Sequence, residues 1–184
     1  MKKAAVFLDR DGTIIKDNGY INNTKQIEFY SYSFESLRTL QAHFELFIIT
    51  NQAGIGKGLI TKLELEKIHN FMLRALNDEG IKIREVYTCP HTKQDNCICR
   101  KPKPYFIAQA IQKYNIDIIK SYIIGDHPSD VELAINTGAN GIYVLSGHGL
   151  KHYTEIEQIK SQISIKRNLQ AACKEILRRK NCEI

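Results

Sequence analysis

Short, uninterrupted apolar runs alternate along the chain with stretches whose apolar residues recur every three or four positions. The runs occupy 4–8, 46–50, 86–88, Tyr122–Gly125 and 141–145. Each is too short for a helix and continuous rather than alternating, which reads as a strand buried on both faces. Between them, 34–43 carries Leu37 and Leu40, with Phe44 just beyond, at helical spacing, and Ser33 is a candidate N-cap. The segment 61–79 places Leu65, Ile68, Phe71, Met72, Ala75 and Leu76 on one face. Tyr105–Tyr114 and a helix over 130–137, closing on Gly138, complete the set. Strands separated by helices predict an α/β fold, a parallel sheet with helices on both faces.

In such sheets ligands bind beyond the carboxyl ends of the strands. Asp9 and Asp11 follow the first strand, Thr50 and Asn51 end the second, Cys89 follows the third, and Asp126 follows the fourth. Four polar clusters thus converge on one edge. The loop over 11–33 is long enough to be functional and carries Asp17-Asn18-Gly19-Tyr20. In the tail, Thr154-Glu155-Ile156-Glu157 is a capping-box pattern and Ile163 and Ile165 alternate like a strand. Asn168 is placed to cap a last helix carrying Leu169, Ala172, Cys173, Ile176 and Leu177.

Length and composition narrow the class. A chain of 184 residues with 43% hydrophobic and 25% charged residues is expected to form one soluble domain, 1–184. It contains no apolar run long enough to span a membrane. The run after Met1-Lys2-Lys3 is too short for a signal peptide, so a cytoplasmic location is expected. The net charge is +6, and residues 151–184 hold eight Lys/Arg against four Asp/Glu. No stripe of basic residues interleaved with aromatics is present, so the tail reads as a solvated basic face and no nucleic acid is expected. No assembly seam is evident, and a monomer is expected.

The segment Phe7-Leu8-Asp9-Arg10-Asp11-Gly12-Thr13 is the most informative. With Asp126 and Asp130 at the same edge, its two carboxylates form an acidic group that repels itself unless a hard cation sits within it. Mg²⁺, which takes one or two carboxylates plus phosphate oxygens, suits that place. The five cysteines are odd in number, and three of them crowd between Cys89 and Cys99. Cys89, His91, Cys97 and Cys99 form C-x-H-x5-C-x-C, four soft or borderline ligands suited to tetrahedral Zn²⁺ in a closed, structural site. Arg100 and Lys101 follow directly, so a metal clasp would aim both cations at a phosphate. Cys173 reads as core filler and Cys182 as an exposed thiol.

DRDGT after a first strand, TNQ ending a second, Lys101 before a helix and GDHPSD after a late strand resemble the four motifs of the haloacid dehalogenase-like phosphatases. The match spans roughly residues 4–145. The resemblance implies a Rossmann-like sheet, here without an inserted cap domain, and Asp9 as a nucleophile that forms an aspartyl-phosphate. It implies that Asp11 protonates the leaving oxygen and then activates water. Mg²⁺ would be held by the side chains of Asp9 and Asp126 and the backbone carbonyl of Asp11, with Asp130 in the outer shell. Thr50 and Lys101 would stabilise the transferring phosphoryl group.

The metal loop feeding Arg100-Lys101-Pro102 resembles two branches of that family, the D-glycero-D-manno-heptose 1,7-bisphosphate phosphatases and the histidinol-phosphate phosphatases. Asp17-Asn18-Gly19-Tyr20-Ile21 and the glycine-rich stretch 50–58 resemble the heptose branch and favour a sugar bisphosphate as substrate. Contacts to it are then expected from Arg10, Asp17, Asn18, Gly19, Tyr20, Asn51, Gln52, Ala53, Arg100, Lys101 and His127. The chain departs from the heptose pattern at Tyr30-Ser31, at Ala53 (commonly serine) and at His127 (often lysine). A zinc-stabilised interaction module with a basic tail is the non-enzymatic alternative. It leaves unexplained why Asp9, Asp11, Thr50, Lys101 and Asp126 share one edge.

Overall fold

A computed structural model describes residues 2–182. Six strands form one sheet in the order β3-β2-β1-β4-β5-β6, and every neighbouring pair is parallel. They are β1 (Ala5–Leu8), β2 (Glu45–Asn51), β3 (Ile83–Cys89), β4 (Tyr122–Gly125), β5 (Asn140–Val144) and β6 (Ser164–Lys166). The helices are α1 (Ser33–Gln41), the single turn α2 (Ala53–Gly56), α3 (Lys62–Asp78), α4 (Tyr105–Tyr114), α5 (Pro128–Thr137) and α6 (Leu169–Cys182). Among the described residues no inserted domain interrupts the strand–helix alternation.

The uninterrupted apolar strands are explained by the two cores. Side chains alternate across a strand, so Val6 and Leu8 point to one face and Ala5 and Phe7 to the other. The first set joins Leu46, Ile48, Ile124 and Ile142 under Leu40 of α1, Ile68 and Met72 of α3, and Ala172 and Ile176 of α6. The second joins Phe47, Ile49, Tyr87 and Ile123 under Ile107 of α4 and Leu133 of α5. With both faces covered, polar side chains are left to the strand tips, and the carboxyl edge collects them.

Several local expectations are revised. Ser33 is the first residue of α1 rather than its cap, because its Oγ donates to the carbonyl of Ile14 at 2.6 Å. Phe71 is exposed, since the buried stripe of α3 runs Leu65, Ile68, Met72, Leu76 and leaves Phe71 on its solvent margin. The capping box at Thr154 does not form. Its acid Glu157 pairs with Lys160, and the segment makes only a 3₁₀ turn over Tyr153–Ile156. Strand β3 is longer than its apolar stretch because it lies at the sheet edge, where exposed Arg84 and half-buried Glu85 are tolerated.

Helix α3 opens with a complete capping box. The Thr61 hydroxyl accepts from the Glu64 N–H at 3.1 Å, and Glu64 Oε2 accepts from the Thr61 N–H at 2.7 Å. Thr61→Ala is expected to cost about 1 kcal/mol, which lowers the melting temperature by about 2–4 °C in a chain of this size. Thermal unfolding followed by circular dichroism reads this directly, and an unchanged midpoint would show that the box contributes nothing.

Candidate active site

The strand order reverses between β1 and β4, and this switch point holds the first two acids. Asp9 leaves β1 with its N–H donating to the Ile124 carbonyl at 2.8 Å. Asp126 leaves β4 one residue before the N-cap of α5, where Pro128 occupies the first helical position. Three residues past the cap, Asp130 accepts the His127 N–H at 3.1 Å, so the capping box of α5 fixes its carboxylate. Gly12 has a φ of 79°, and a Cβ there would sit 2.1 Å from Asp126 Oδ2. Only glycine lets the turn after β1 pass that close.

Lys101 is the counter-charge. Its ammonium lies 2.5 Å from Asp9 Oδ1 and 2.5 Å from Asp130 Oδ1, and it donates to the Ile49 carbonyl at 2.8 Å. Burial opposes a charge there, yet Asp130 and Asp9 outweigh it and hold the ammonium above the ordinary lysine range. Asn51 clamps the segment, its Oδ1 accepting the Lys101 N–H at 3.1 Å.

One cation does not satisfy three acids. Oxygens of Asp9, Asp126 and Asp130 lie within 4.8 Å of one another. Burial, with Asp130 and Asp11 adding to it and Lys101 opposing, pushes Asp9 up to about 7. Burial and then the charges of Asp9 and Asp130 push Asp126 up to about 9. Hard oxygen donors, buried and mutually repelling, fit a divalent cation.

Asp11 stands in front of this group. Arg10 grips it with two arms, Nε to Oδ1 at 3.1 Å and Nη2 to Oδ2 at 2.8 Å, and Gln52 Nε2 donates to Oδ2 at 2.8 Å. The same Gln52 amide donates to Thr50 Oγ1 at 2.7 Å, which leaves the Thr50 hydroxyl proton free to point into the cleft.

A second cluster lies beside the first. Cys89 ends β3, and its Sγ is 3.5 Å from Cys97 Sγ and 3.3 Å from Cys99 Sγ. The His91 Nδ1 completes the group, 3.3 Å from Cys99 Sγ. Sulfurs around one tetrahedral Zn²⁺ at ~2.3 Å would stand about 3.8 Å apart, so the donor set fits such an ion. Burial pushes the Cys89 thiol up to about 12. Cys97, despite its own desolvation, is brought down to about 7 by hydrogen bonds from Cys89 and backbone N–H groups. The cluster is joined to α2, where the Gly56 N–H donates to the Pro90 carbonyl at 2.9 Å and a Cβ on Gly56 would meet that oxygen at 3.0 Å.

Comparison with known proteins gives this geometry a family. A HAD-hydrolase-like family model matches residues 98–170. D-glycero-beta-D-manno-heptose-1,7-bisphosphate 7-phosphatase of Helicobacter pylori (strain J99) is 37% identical over 80% of this chain and 86% of its own length. The chain belongs to the haloacid dehalogenase-like phosphatases. Histidine biosynthesis bifunctional protein HisB of Blochmanniella floridana is also 37% identical, but the match covers 77% of this chain and 41% of that longer protein. Among solved structures, D,D-heptose 1,7-bisphosphate phosphatase from B. bronchiseptica, complexed with magnesium and phosphate, superposes with a TM-score of 0.88. It is 27% identical, over 96% of this chain and 99% of the other.

The cleft of the phosphatase encloses about 470 Å³. Asp9, Asp11, Thr50, Lys101 and Asp126 line it together with Asn51, Gln52, Ala53, Arg100 and His127. Asp17, Gly19 and Tyr20 reach it from the loop before α1. Two expected contacts take other roles. Arg10 is fully buried behind Asp11, and Asn18 Nδ2 is committed to the Gln26 carbonyl at 2.9 Å. Asp130 lies at the back, on Lys101. Sequence reasoning missed Lys57, Ser129, His148 and His152, which also line the cleft. Lys57 Nζ donates to the Tyr20 hydroxyl at 2.7 Å, and His148 Nδ1 lies 3.0 Å from Asp17 Oδ2. Ser146-Gly147-His148-Gly149 follows the fifth strand, so the strand-tip rule was sufficient to find His148.

Behind Arg10, burial and the neighbouring guanidinium push the His69 imidazole down to about 4. An unfolded imidazole titrates near ~6.5. Between about pH 6.5 and about pH 4 the unfolded chain therefore takes up a proton that the folded chain refuses. The His69 contribution to stability is fully present above that window and is lost as pH falls through it. The urea midpoint is expected to drop across the window, with a shallower slope in His69→Gln; identical slopes would contradict the assignment.

Proposed function

We propose that the phosphatase removes the C7 phosphate of D-glycero-D-manno-heptose 1,7-bisphosphate, within synthesis of nucleotide-activated heptose in the cytoplasm. The observation that carries this reading is the pairing of one reactive phosphate seat, Asp9 with Lys101, with cations further along the same cleft. Arg100 and Lys57 line the cleft; Arg100 Nη1 donates to the His91 carbonyl at 3.1 Å and Lys57 Nζ to the Tyr20 hydroxyl at 2.7 Å, and the remaining donors of each cation suit a second phosphate. The heptose relatives support it, as their match covers most of both chains.

Asp9 attacks phosphorus and the bond to the leaving oxygen breaks; Asp11 gives that oxygen its proton. Asp11 then takes a proton from water, whose oxygen displaces the Asp9 carboxylate. Thr50 and Lys101 hold the phosphoryl oxygens throughout, and their fixed positions save reorganisation when charge moves. Asp9, Asp126 and the Asp11 carbonyl would hold Mg²⁺, with Asp130 behind, and the ion supplies neutralisation of the phosphate charge. Asp17, Gly19, Tyr20, Asn51, Gln52, Ala53, Arg100 and His127 would contact the sugar and its second phosphate. Zn²⁺ at Cys89, His91, Cys97 and Cys99 would hold the loop that presents Arg100 and Lys101.

No described helix is long and apolar enough to cross a membrane. In the basic tail, Arg178 and Arg179 of α6 and Lys166 of β6 all pair with Glu175, which supports a solvated face rather than a nucleic-acid surface. We read the enzyme as a monomer. Histidinol phosphate is the second substrate reading, favoured by the HisB match and by the metal loop that both branches share.

Phosphate release from both heptose 1,7-bisphosphate anomers and from histidinol phosphate decides between the two. Mg²⁺-dependent release from a heptose bisphosphate, abolished in Asp9→Asn, is expected; preference for histidinol phosphate would overturn the substrate, and an active Asp9→Asn would overturn the mechanism. For the second metal, elemental analysis is expected to find zinc in the wild type and its loss in Cys97→Ser. A wild type free of zinc would refute the assignment.

A further inference from the structure

Arg10 is fully buried, and its contacts account for both ends of the guanidinium. Nε and Nη2 hold the two oxygens of Asp11, while Nη1 stands 3.1 Å from Nε2 of His69. A guanidinium has five donors and no lone pair, so the ring nitrogen it meets must accept. His69 is therefore seated with its proton on Nδ1 and Nε2 turned to Arg10. It follows Ile68, which is fully buried in the core of α3, so the helix packing fixes where the ring stands. Contacts run without a gap from α3 through His69 and Arg10 to the Asp11 carboxylate, which Gln52 holds from the other side at 2.8 Å.

We propose that His69 is a positioning residue for the acid–base step: by accepting from Arg10 it locks the plane of the guanidinium, and through it the direction in which Asp11 presents its proton. The inference rests on the reading of Asp11 as the acid and base of the phosphatase. In the first half-reaction the Asp9 oxygen bonds to phosphorus, the ester P–O bond breaks with its electron pair left on oxygen, and Asp11 supplies the proton that makes the alcohol. An alkoxide needs that proton; a nitrophenolate leaves without it. Misdirection of Asp11 therefore slows phosphoryl transfer from an alkyl ester and spares transfer from an aryl ester. General loosening of the site would slow both.

The test is the rate of phosphoenzyme formation, read by rapid quench before the water step. It compares 4-nitrobenzyl phosphate with 4-nitrophenyl phosphate in wild type, His69→Leu and His69→Gln. In His69→Leu the rate with the benzyl ester is expected to fall about tenfold, within the range that misplaced acid catalysis costs, and less than about twofold with the phenyl ester. In His69→Gln, whose amide oxygen accepts in place of Nε2, most of the benzyl rate returns. Should His69→Leu fail to fold, His69→Asn, whose shorter side chain holds its acceptor out of reach, must show the same discrimination. Equal losses on both esters, or wild-type rates on both, overturn the relay. A wild type that forms no phosphoenzyme overturns the covalent mechanism in which Asp11 acts, and the relay with it.

Discussion

A buried ammonium among carboxylates sets the terms for the rest of the molecule. Removing Lys101 from water is costly unless its charge is met at short range, and Asp9, Asp130 and the Ile49 carbonyl meet it. Each of those partners is fixed by a different element: the tip of β1, the first turn of α5 and the end of β2. The lysine is thus the point where three elements are tied together. The tie leaves acid in excess, because Asp126 joins the same space and, among the described residues, accepts a backbone N–H from His148 rather than pairing with a second cation. The surplus negative charge makes the edge a seat for a divalent ion, so the cost of crowding acids becomes the affinity of the site.

The parallel sheet makes that crowding achievable. Strands of one direction bring all their carboxyl ends to one side, and the reversal between β1 and β4 opens the crevice where Asp9 and Asp126 meet. The faces divide the remaining work. One carries α3, from which the side chain of His69 reaches in to Arg10; the other carries α4 and α5, and the first turn of α5 sets Asp130 against Lys101. Neither helix layer supplies a group that would attack phosphorus. Both hold the strand-tip carboxylates in place, Asp9 through Lys101 and Asp130 on one side and Asp11 through Arg10 and His69 on the other.

Much of this was legible in the chain. Tyr122–Gly125 and Tyr105–Tyr114 fall where their apolar patterns put them, because a doubly covered strand and a one-sided helix leave distinct signatures. The Cys89, His91, Cys97 and Cys99 cluster was legible because its four side chains are close in sequence and soft in chemistry. Arg10 was misread for a physical reason. Arg10 sits at the bend after β1, where its side chain is fully buried against Asp11 and His69 instead of lining the cleft, and no periodicity beyond the strand announces that direction. Lys57 and His152 were missed because they reach the cleft from turns and loops, where no periodicity announces a direction. Ser33 and Thr154 carried capping signals that other partners, the Ile14 carbonyl and Lys160, answered first.

The bond between Gly56 and Pro90 carries one further consequence. The glycine-rich turn and the cysteine loop share a tight backbone seam, where a Cβ on Gly56 would stand 3.0 Å from the Pro90 carbonyl and force the loop to give. Mutations that reshape one must be matched in the other, so the two segments are expected to drift through evolution as a unit. A change of shape in the cysteine loop would be felt first at the turn that brings Ala53 and Lys57 to the cleft.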